Sequence, residues 1–168
     1  MFPTKNDIPS VKRTKLTAIL NQLLADAIDL KSQTKQAHWN VKGEDFIALH
    51  QLFDSIATEA DNVVDLIAER VVQLGETALG TARVAAKQSR LREYPLSITA
   101  SQEHVDALSS AIASFNAHAR KSIDDADTLG DAVTADILTG IVRGLDKQLW
   151  FVESHLKAGA QTVNKKVI

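Results

Sequence analysis

Apolar residues recur every three or four positions through four long stretches of this chain, and this spacing permits few structures other than long amphipathic helices. The pattern predicts helices at about 12–39 and 45–74, a third that begins near Thr99 with a capping box to Gln102, and a fourth that ends near Gly159. Aromatic residues make up only 5% of the chain, with 7 glycines and 3 prolines, which favours helices over sheets.

The links between the predicted helices restrict the topology. Two are short turns, at 40–43 and 127–131. The third is a long connection at 81–98, after Gly75 and Gly80 end the second helix, with a possible short helix near Ala82–Gln88. Two short links and one long link fit an all-α four-helix bundle with one long crossover, which is the connection of ferritin-like bundles. We therefore predict a single ferritin-like domain over residues 1–168, with the short extra helix between helices two and three.

Composition excludes several classes of protein. The chain has no Cys, which rules out disulfides and thiolate metal sites. It has no run of about 18 apolar residues, so no membrane span is expected, and its polar start lacks the apolar core of a signal peptide. We expect basic tails at about 1–12 and 159–168 on an acidic body, although the net charge is only −2. Such tails either contact polyanions or only keep a protein soluble.

Four ligand-type residues on the second predicted helix are placed symmetrically. His50 and Asp54 are spaced i, i+4, and so are Asp65 and Glu69, so each pair lies on one helix face. All four fall in a strip roughly 100° wide, but the two pairs are about 16 Å apart along the axis. One chain cannot bring both pairs to one small metal site.

A second copy of the chain can bring the two pairs together. If it packs antiparallel across a two-fold axis between Glu59 and Ala60, the first pair of one chain lies beside the second pair of the other. The same two-fold axis would pair Phe53 with Leu66 and Ile56 with Val63 across the two chains, which predicts an apolar seam at the crossing point. A single i, i+4 pair is more often a solvated helix face, so spacing alone leaves both interpretations open.

Imidazole and carboxylate ligands without sulfur suit iron, manganese or zinc, and a pair of irons fits best because carboxylates can bridge two metals. No His has Glu three residues before it, so the Glu-x-x-His pattern of sites inside one bundle is absent. His38, at the end of the first predicted helix, is too far from Glu69 of its own chain and is grouped with His50 and Asp54. We expect His104 and His118 on the surface.

Five segments of the chain follow one family pattern: Lys35–Gly43, Phe46–His50 with Asp54, Asp65–Arg70, Thr134–Leu138 and Leu145–Glu153. They resemble the Dps family (DNA-binding protein from starved cells), the miniferritins, over nearly the whole chain apart from its tails. The spacing His–x11–His–x3–Asp–x10–Asp–x3–Glu, which begins at His38, is highly specific. The resemblance implies a hollow dodecamer in the cytoplasm that is associated with the nucleoid if it binds DNA.

The resemblance also implies an activity and its residues. Family members oxidise Fe(II), preferably with hydrogen peroxide, and store Fe(III) mineral in the shell, which protects DNA from oxidative damage. The implied di-iron ferroxidase centre takes its ligands from two subunits: His38, His50 and Asp54 from one, Asp65 and Glu69 from the other. Lys35 and Trp39 would lie beside this centre.

Two further expectations concern the entry of iron into the shell and the binding of DNA. Asp127, Asp131 and Asp136 resemble the acidic residues that line family pores at a three-fold axis, although Asp131 is also placed to cap the fourth helix. Basic tails can bind DNA phosphates, but the N-terminal tail also contains Asp7 and two prolines. The competing hypotheses are a nucleoid protein that protects DNA mainly by coating it and a metal-bridged helical oligomer without redox turnover.

Overall fold

The computed structural model describes residues 2–156. This part of the chain contains five helices: α1 (Ser10–Asn40), α2 (Phe46–Gln73), α3 (Ala82–Gln88), α4 (Ser101–Leu129) and α5 (Ala132–Glu153). No strand is present among these residues, and the short helix occurs where the sequence predicts it, so the all-α prediction is confirmed. None of the helices in this range is long and apolar enough to cross a membrane. The basic tail predicted at 159–168 lies outside the described residues.

Contacts at the helix ends define the direction of each helix. A short turn joins α1 to α2, and at the far end of the pair Arg13 of α1 donates to the carbonyl of Leu74 just beyond α2, so the two helices are antiparallel. The end of α1 also lies beside the start of α4, where Lys42 pairs with Ala100. The chain must therefore return along the length of the bundle between α2 and α4, as the predicted crossover requires.

Side chains of α1 form hydrogen bonds with this crossover at two points along its length. The Asn21 amide donates to the Thr77 carbonyl and accepts from the Leu79 amide. Further along, buried Asp26 accepts three hydrogen bonds from the backbone and guanidinium of Arg90. Because buried Asn21 and Asp26 each find their hydrogen-bond partners in the crossover, these bonds define the path of the long link.

The start of α4 differs from the predicted capping box. The N-cap is Ala100, and the carboxylate that reaches back to the amides of Thr99 and Ala100 belongs to Glu103 rather than to Gln102. A carboxylate near a helix N-terminus also interacts favourably with the helix dipole. The helix therefore begins two residues later than predicted, at Ser101.

Asp131 caps α5 and joins it to α2. Its carboxylate accepts from the Thr134 amide at 3.1 Å, which is a side-chain N-cap, and from the Thr134 hydroxyl. Both carboxylate oxygens also accept from Arg70 at 2.9 Å, and both side chains are almost fully buried. Burial alone would raise the pKa of Asp131, but the bonds from Thr134 and Arg70 outweigh it, so the pKa is lowered.

The bundle core takes up three of the four residues that the sequence assigned to a seam between chains. Phe53, Ile56 and Val63 are buried in the core of their own chain, and only Leu66 faces outward. The histidine expectations also need correction, because His104 is buried and His118 is only partly exposed, with Nδ1 3.5 Å from Asp26. Apolar periodicity identifies a buried face but not which neighbour covers it.

Candidate metal centre

The turn between α1 and α2 brings His38 and His50 together. Gly43 in this turn has φ +119°, a backbone conformation that residues other than glycine rarely adopt. The chain reverses there within five residues. His38 lies in the last turn of α1 and His50 in the second turn of α2. Their rings stack with centroids 3.8 Å apart, so the structure brings these two histidines together.

The two rings are held by reciprocal hydrogen bonds to backbone carbonyls. The Nδ1 of His38 donates to the carbonyl of His50 at 2.8 Å, and the Nδ1 of His50 donates to the carbonyl of His38 at 2.9 Å. A carbonyl only accepts, so each Nδ1 carries the proton and each neutral ring has its lone pair on Nε2. Both imidazoles are thereby fixed in the tautomer that binds metals through Nε2.

Asp54 lies one helical turn after His50 and 3.9 Å from Nε2 of His38. Its carboxylate accepts from the Lys35 ammonium at 2.8 Å, and this bond holds the pKa of Asp54 below its ordinary value. The same ammonium lies 5.7 Å from the ring centre of Trp39, whose surface is 66% exposed. The Lys35 ammonium therefore already lies beside the Asp54 carboxylate. The neighbouring Trp39 ring is largely uncovered by its own chain.

Asp65 and Glu69 lie further along α2, and both are exposed. Within residues 2–156, neither carboxylate has a hydrogen bond or ion pair, so all their oxygens can bind a cation. In the same part of the chain, no group of three or more His, Cys, Asp or Glu has the geometry to hold a metal alone. The donor types fit iron, but a single chain supplies two separate halves of a site.

The outer face of α2 carries exposed apolar side chains near both ends of the helix. Ile47 is 61% exposed and Val72 is 55% exposed, and the two-fold axis predicted between Glu59 and Ala60 would relate one to the other. An antiparallel copy would therefore cover both residues, at positions flanking the ligand pairs. In such a dimer, Ile47 and Val72 would contribute apolar contacts near the two ends, whereas Phe53, Ile56 and Val63 of the predicted crossing point are buried in their own chain.

Comparison with known proteins decides the family. The family model of the ferritin-like domain matches residues 17–161. The DNA protection during starvation protein of Agrobacterium fabrum is 49% identical over 154 residues, which cover 92% of this chain and 95% of the relative. The chain belongs to the Dps family.

Solved Dps structures have the same fold. The tetragonal form of Mycobacterium smegmatis Dps has a TM-score of 0.89 at 29% identity, and the match covers 95% of this chain and 96% of that one. Dps from Microbacterium arborescens in the high iron form has a TM-score of 0.80 at 30% identity, with 90% and 97% covered. The ferritin-like bundle with its crossover is therefore confirmed for this Dps chain.

The acidic residues expected at a pore occupy different environments in this Dps subunit. Asp127 and Asp136 are exposed, as a pore lining requires. Asp131 is 3% exposed, and its oxygens are occupied by Arg70 and Thr134, so it is the helix cap that the sequence offered as the alternative. A buried, fully paired carboxylate does not face a pore.

Two features, one in the candidate metal centre and one outside it, have no signal in the sequence. The reciprocal bonds between His38 and His50 use backbone carbonyls, which every residue possesses, so no motif announces them. The buried pair of Tyr94 and His104 was also missed, because a lone His on a helix gives no sign of its partner. Only the packing of the crossover against α4 brings those two rings together.

Proposed function

We propose that this Dps chain oxidises Fe(II), preferably with hydrogen peroxide, at ferroxidase centres shared between two subunits, and stores Fe(III) mineral in a hollow dodecamer. The observation that carries the proposal is the pair of imidazoles locked with Nε2 free beside Asp54. The name of the Agrobacterium fabrum relative, a DNA protection protein, and the high iron form of the Microbacterium arborescens structure agree with it. Removal of iron and peroxide together would protect DNA.

Each ligand has a distinct task in this proposal. His38 and His50 bind Fe(II) as neutral donors through Nε2, and their Nδ1 bonds keep the rings aimed. Asp54, with Asp65 and Glu69 of the neighbouring subunit, supplies negative charge that favours Fe(III) over Fe(II). Iron is the substrate: two Fe(II) ions give up one electron each, and one peroxide with two protons becomes two waters.

Lys35 prepares Asp54 for this role. In the metal-free subunit its ammonium donates a hydrogen bond to the Asp54 carboxylate and lowers the pKa of Asp54 further below its ordinary value. When Fe(II) arrives, the cation takes over from the ammonium, and Lys35 can turn towards Trp39, which it already approaches. The carboxylate is therefore a ready ligand near neutral pH and needs no deprotonation step.

Iron must enter the shell before it is stored. We propose that Asp127 and Asp136 line an acidic entry pore at a three-fold axis, since both carboxylates are exposed near the turn that joins α4 to α5. Negative charge in a narrow opening raises the local concentration of cations. Replacing both residues with Asn should slow iron uptake but leave oxidation at isolated dimers unchanged.

Anaerobic Fe(II) mixed with peroxide tests the activity. The assembled protein should form Fe(III) well above the rate of a protein-free control, and His50→Ala with Asp54→Ala should remove rapid oxidation because half of each site is lost. His155→Ala with Asp106→Ala removes the same two residue types away from the site and should behave as wild type. Unchanged kinetics in the first variant, with helix content preserved, would sink the assignment.

DNA coating is the second candidate, because basic residues cluster at the N-terminus. The structure ties part of this segment down: the Phe2 amide donates to the Gly75 carbonyl at 2.5 Å, and Arg13 is buried with bonds to Ile8 and Leu74. Association with the nucleoid would then rest on the remaining lysines. A gel shift at low salt that persists when Lys5, Lys12 and Lys15 become Gln would remove the N-terminal tail from the DNA hypothesis.

A further inference from the structure

Tyr94 and His104 form a buried hydrogen-bonded pair that has no part in the proposed metal centre. Tyr94 closes the crossover, and His104 lies in the first turn of α4. The phenol oxygen is 2.6 Å from Nδ1 of His104, the two rings are nearly parallel, and both residues are buried. Tyr94 is the single tyrosine of the chain. A short bond between a phenol and an imidazole is a proton-transfer geometry.

The direction of this bond follows from counting unsatisfied groups. Nε2 of His104 is buried and has no partner among the described residues. If the phenol donates to Nδ1, the pair leaves one unpaired group, the Nε2 proton. If Nδ1 donated to the phenol, the phenol proton and the Nε2 lone pair would both lack partners. Since each unpaired buried group costs free energy, the phenol is the donor and Nδ1 the acceptor.

Both groups are neutral near physiological pH. Burial raises the pKa of the Tyr94 phenol, so it keeps its proton. Burial also lowers the pKa of the His104 imidazole, which the charge of neighbouring Glu103 only partly offsets. The imidazole is therefore unprotonated and can take a proton that the phenol releases.

We propose that Tyr94 and His104 form a proton-coupled one-electron donor that reduces strongly oxidising radicals, such as those formed from peroxide and ferrous iron. The phenol gives one electron to the radical, its O–H bond breaks, and an N–H bond forms at Nδ1 of His104. The products are a neutral tyrosyl radical and an imidazolium. A reductant that supplies one electron, such as Fe(II), reverses the step, and the proton returns to the phenol oxygen.

A cavity that Tyr94 helps to line offers small oxidants an approach to the pair. This cavity of about 380 Å³ is lined by polar and charged groups that include Gln33, Arg92, Glu93, Glu103 and Asp106. Gln33 belongs to α1, the helix that also carries His38, about one and a half turns further on. This activity goes beyond iron oxidation and storage, and it needs no metal bound at the ferroxidase centre.

The chain contains few other side chains that a radical could oxidise in place of Tyr94. The chain has no Cys, one Met and two Trp, and Trp39 and Trp150 are both more than 60% exposed. Tyr94 is thus the buried aromatic residue from which an electron and a proton can leave together. A radical held in the interior is also kept away from other molecules that it could damage.

Photo-oxidation of iron-free protein tests the proposal directly. A ruthenium polypyridyl sensitiser with persulfate as the electron acceptor supplies the oxidant, and electron paramagnetic resonance identifies the radical. The reference protein carries Trp39→Phe and Trp150→Phe, so that no tryptophanyl radical overlaps the signal of Tyr94, the single tyrosine. Tyrosyl formation should be slower in deuterated water, and Tyr94→Phe should abolish the signal.

His104→Gln separates the redox role from a structural one. It should slow formation of the tyrosyl radical by on the order of 100-fold, because the proton acceptor is gone, and it should remove the solvent isotope effect. Free imidazole added to His104→Gly should restore part of the rate. An equal rate in His104→Gln, or no isotope effect in the reference protein, would overturn the proposal. Neither readout depends on ferroxidase activity, so a failure here leaves that function untouched.

Discussion

The two Nδ1 protons of His38 and His50 determine which ring nitrogens of the candidate metal centre are free to bind. Spacing alone placed His50 and Asp54 on one face and grouped His38 with them, and in the structure the rings of His38 and His50 stack. The sequence could not predict the Nδ1 bonds to backbone carbonyls, because they depend on how closely the turn brings α1 to α2. Residue types and spacing therefore define a candidate site, while packing determines the tautomer.

Titration of the single tyrosine tests its burial. The phenolate absorbance of the folded protein should appear well above the ordinary pKa of 10.0, because burial disfavours the charged form. The unfolded chain ionises first, so the free energy of unfolding should fall as the pH rises above about 10 towards the folded-state pKa. Tyr94→Phe is the control, and it should lack this part of the decline. A phenol that titrates normally in the folded protein would contradict the burial.

Asp131→Ala should lower the free energy of unfolding by about 3 kcal/mol, because it leaves the guanidinium of Arg70 buried without its partner. Urea titration of the folded assembly measures the loss. Asp136→Ala removes an exposed carboxylate from the same helix and should change stability by no more than about 0.5 kcal/mol. Equal effects of the two substitutions would show that the buried ion pair does not hold α5 to α2.

The helices are the part of the fold that the sequence predicted best. Long apolar periodicity predicted α1 and α2 to within a few residues, and it predicted α3 at Ala82–Gln88. The cap of α4 was placed wrongly, because Thr99 and Glu103 both offer a capping group, and only the backbone path decides between the possible registers. Periodicity also misplaced the apolar seam, since a buried stripe packs first against its own bundle.

Two glycines near the α4–α5 pair should respond to alanine in opposite directions. Gly130 ends α4 with φ +78°, so Gly130→Ala should destabilise the protein by about 1 kcal/mol. Gly140 lies inside α5 with no atom within 4 Å of an added Cβ, so Gly140→Ala should stabilise it by about 0.5–1 kcal/mol. Thermal unfolding of the two variants measures both shifts. Stabilisation by Gly130→Ala would contradict the left-handed cap.

At the scale of the whole molecule, one chain alone cannot form the metal site that we propose. His50 and Asp54 are about 16 Å from Asp65 and Glu69 along α2, and a straight helix cannot close that gap. Exposed Trp39, Ile47 and Val72 also lack cover within one subunit. The same two-fold operation would complete the metal site and bury these apolar surfaces, so assembly and activity should be inseparable.

Complementation between two inactive variants tests this shared site most directly. One variant carries His50→Ala with Asp54→Ala, and the other carries Asp65→Ala with Glu69→Ala; they are co-expressed with different affinity tags and purified through both. Each mixed dimer would contain one intact site, so random pairing should restore about a quarter of the wild-type centres and a matching rate of Fe(II) oxidation by peroxide. Each variant assembled alone should be inactive. Mixed assemblies as inactive as either variant, with dimers present, would contradict a centre shared between two chains.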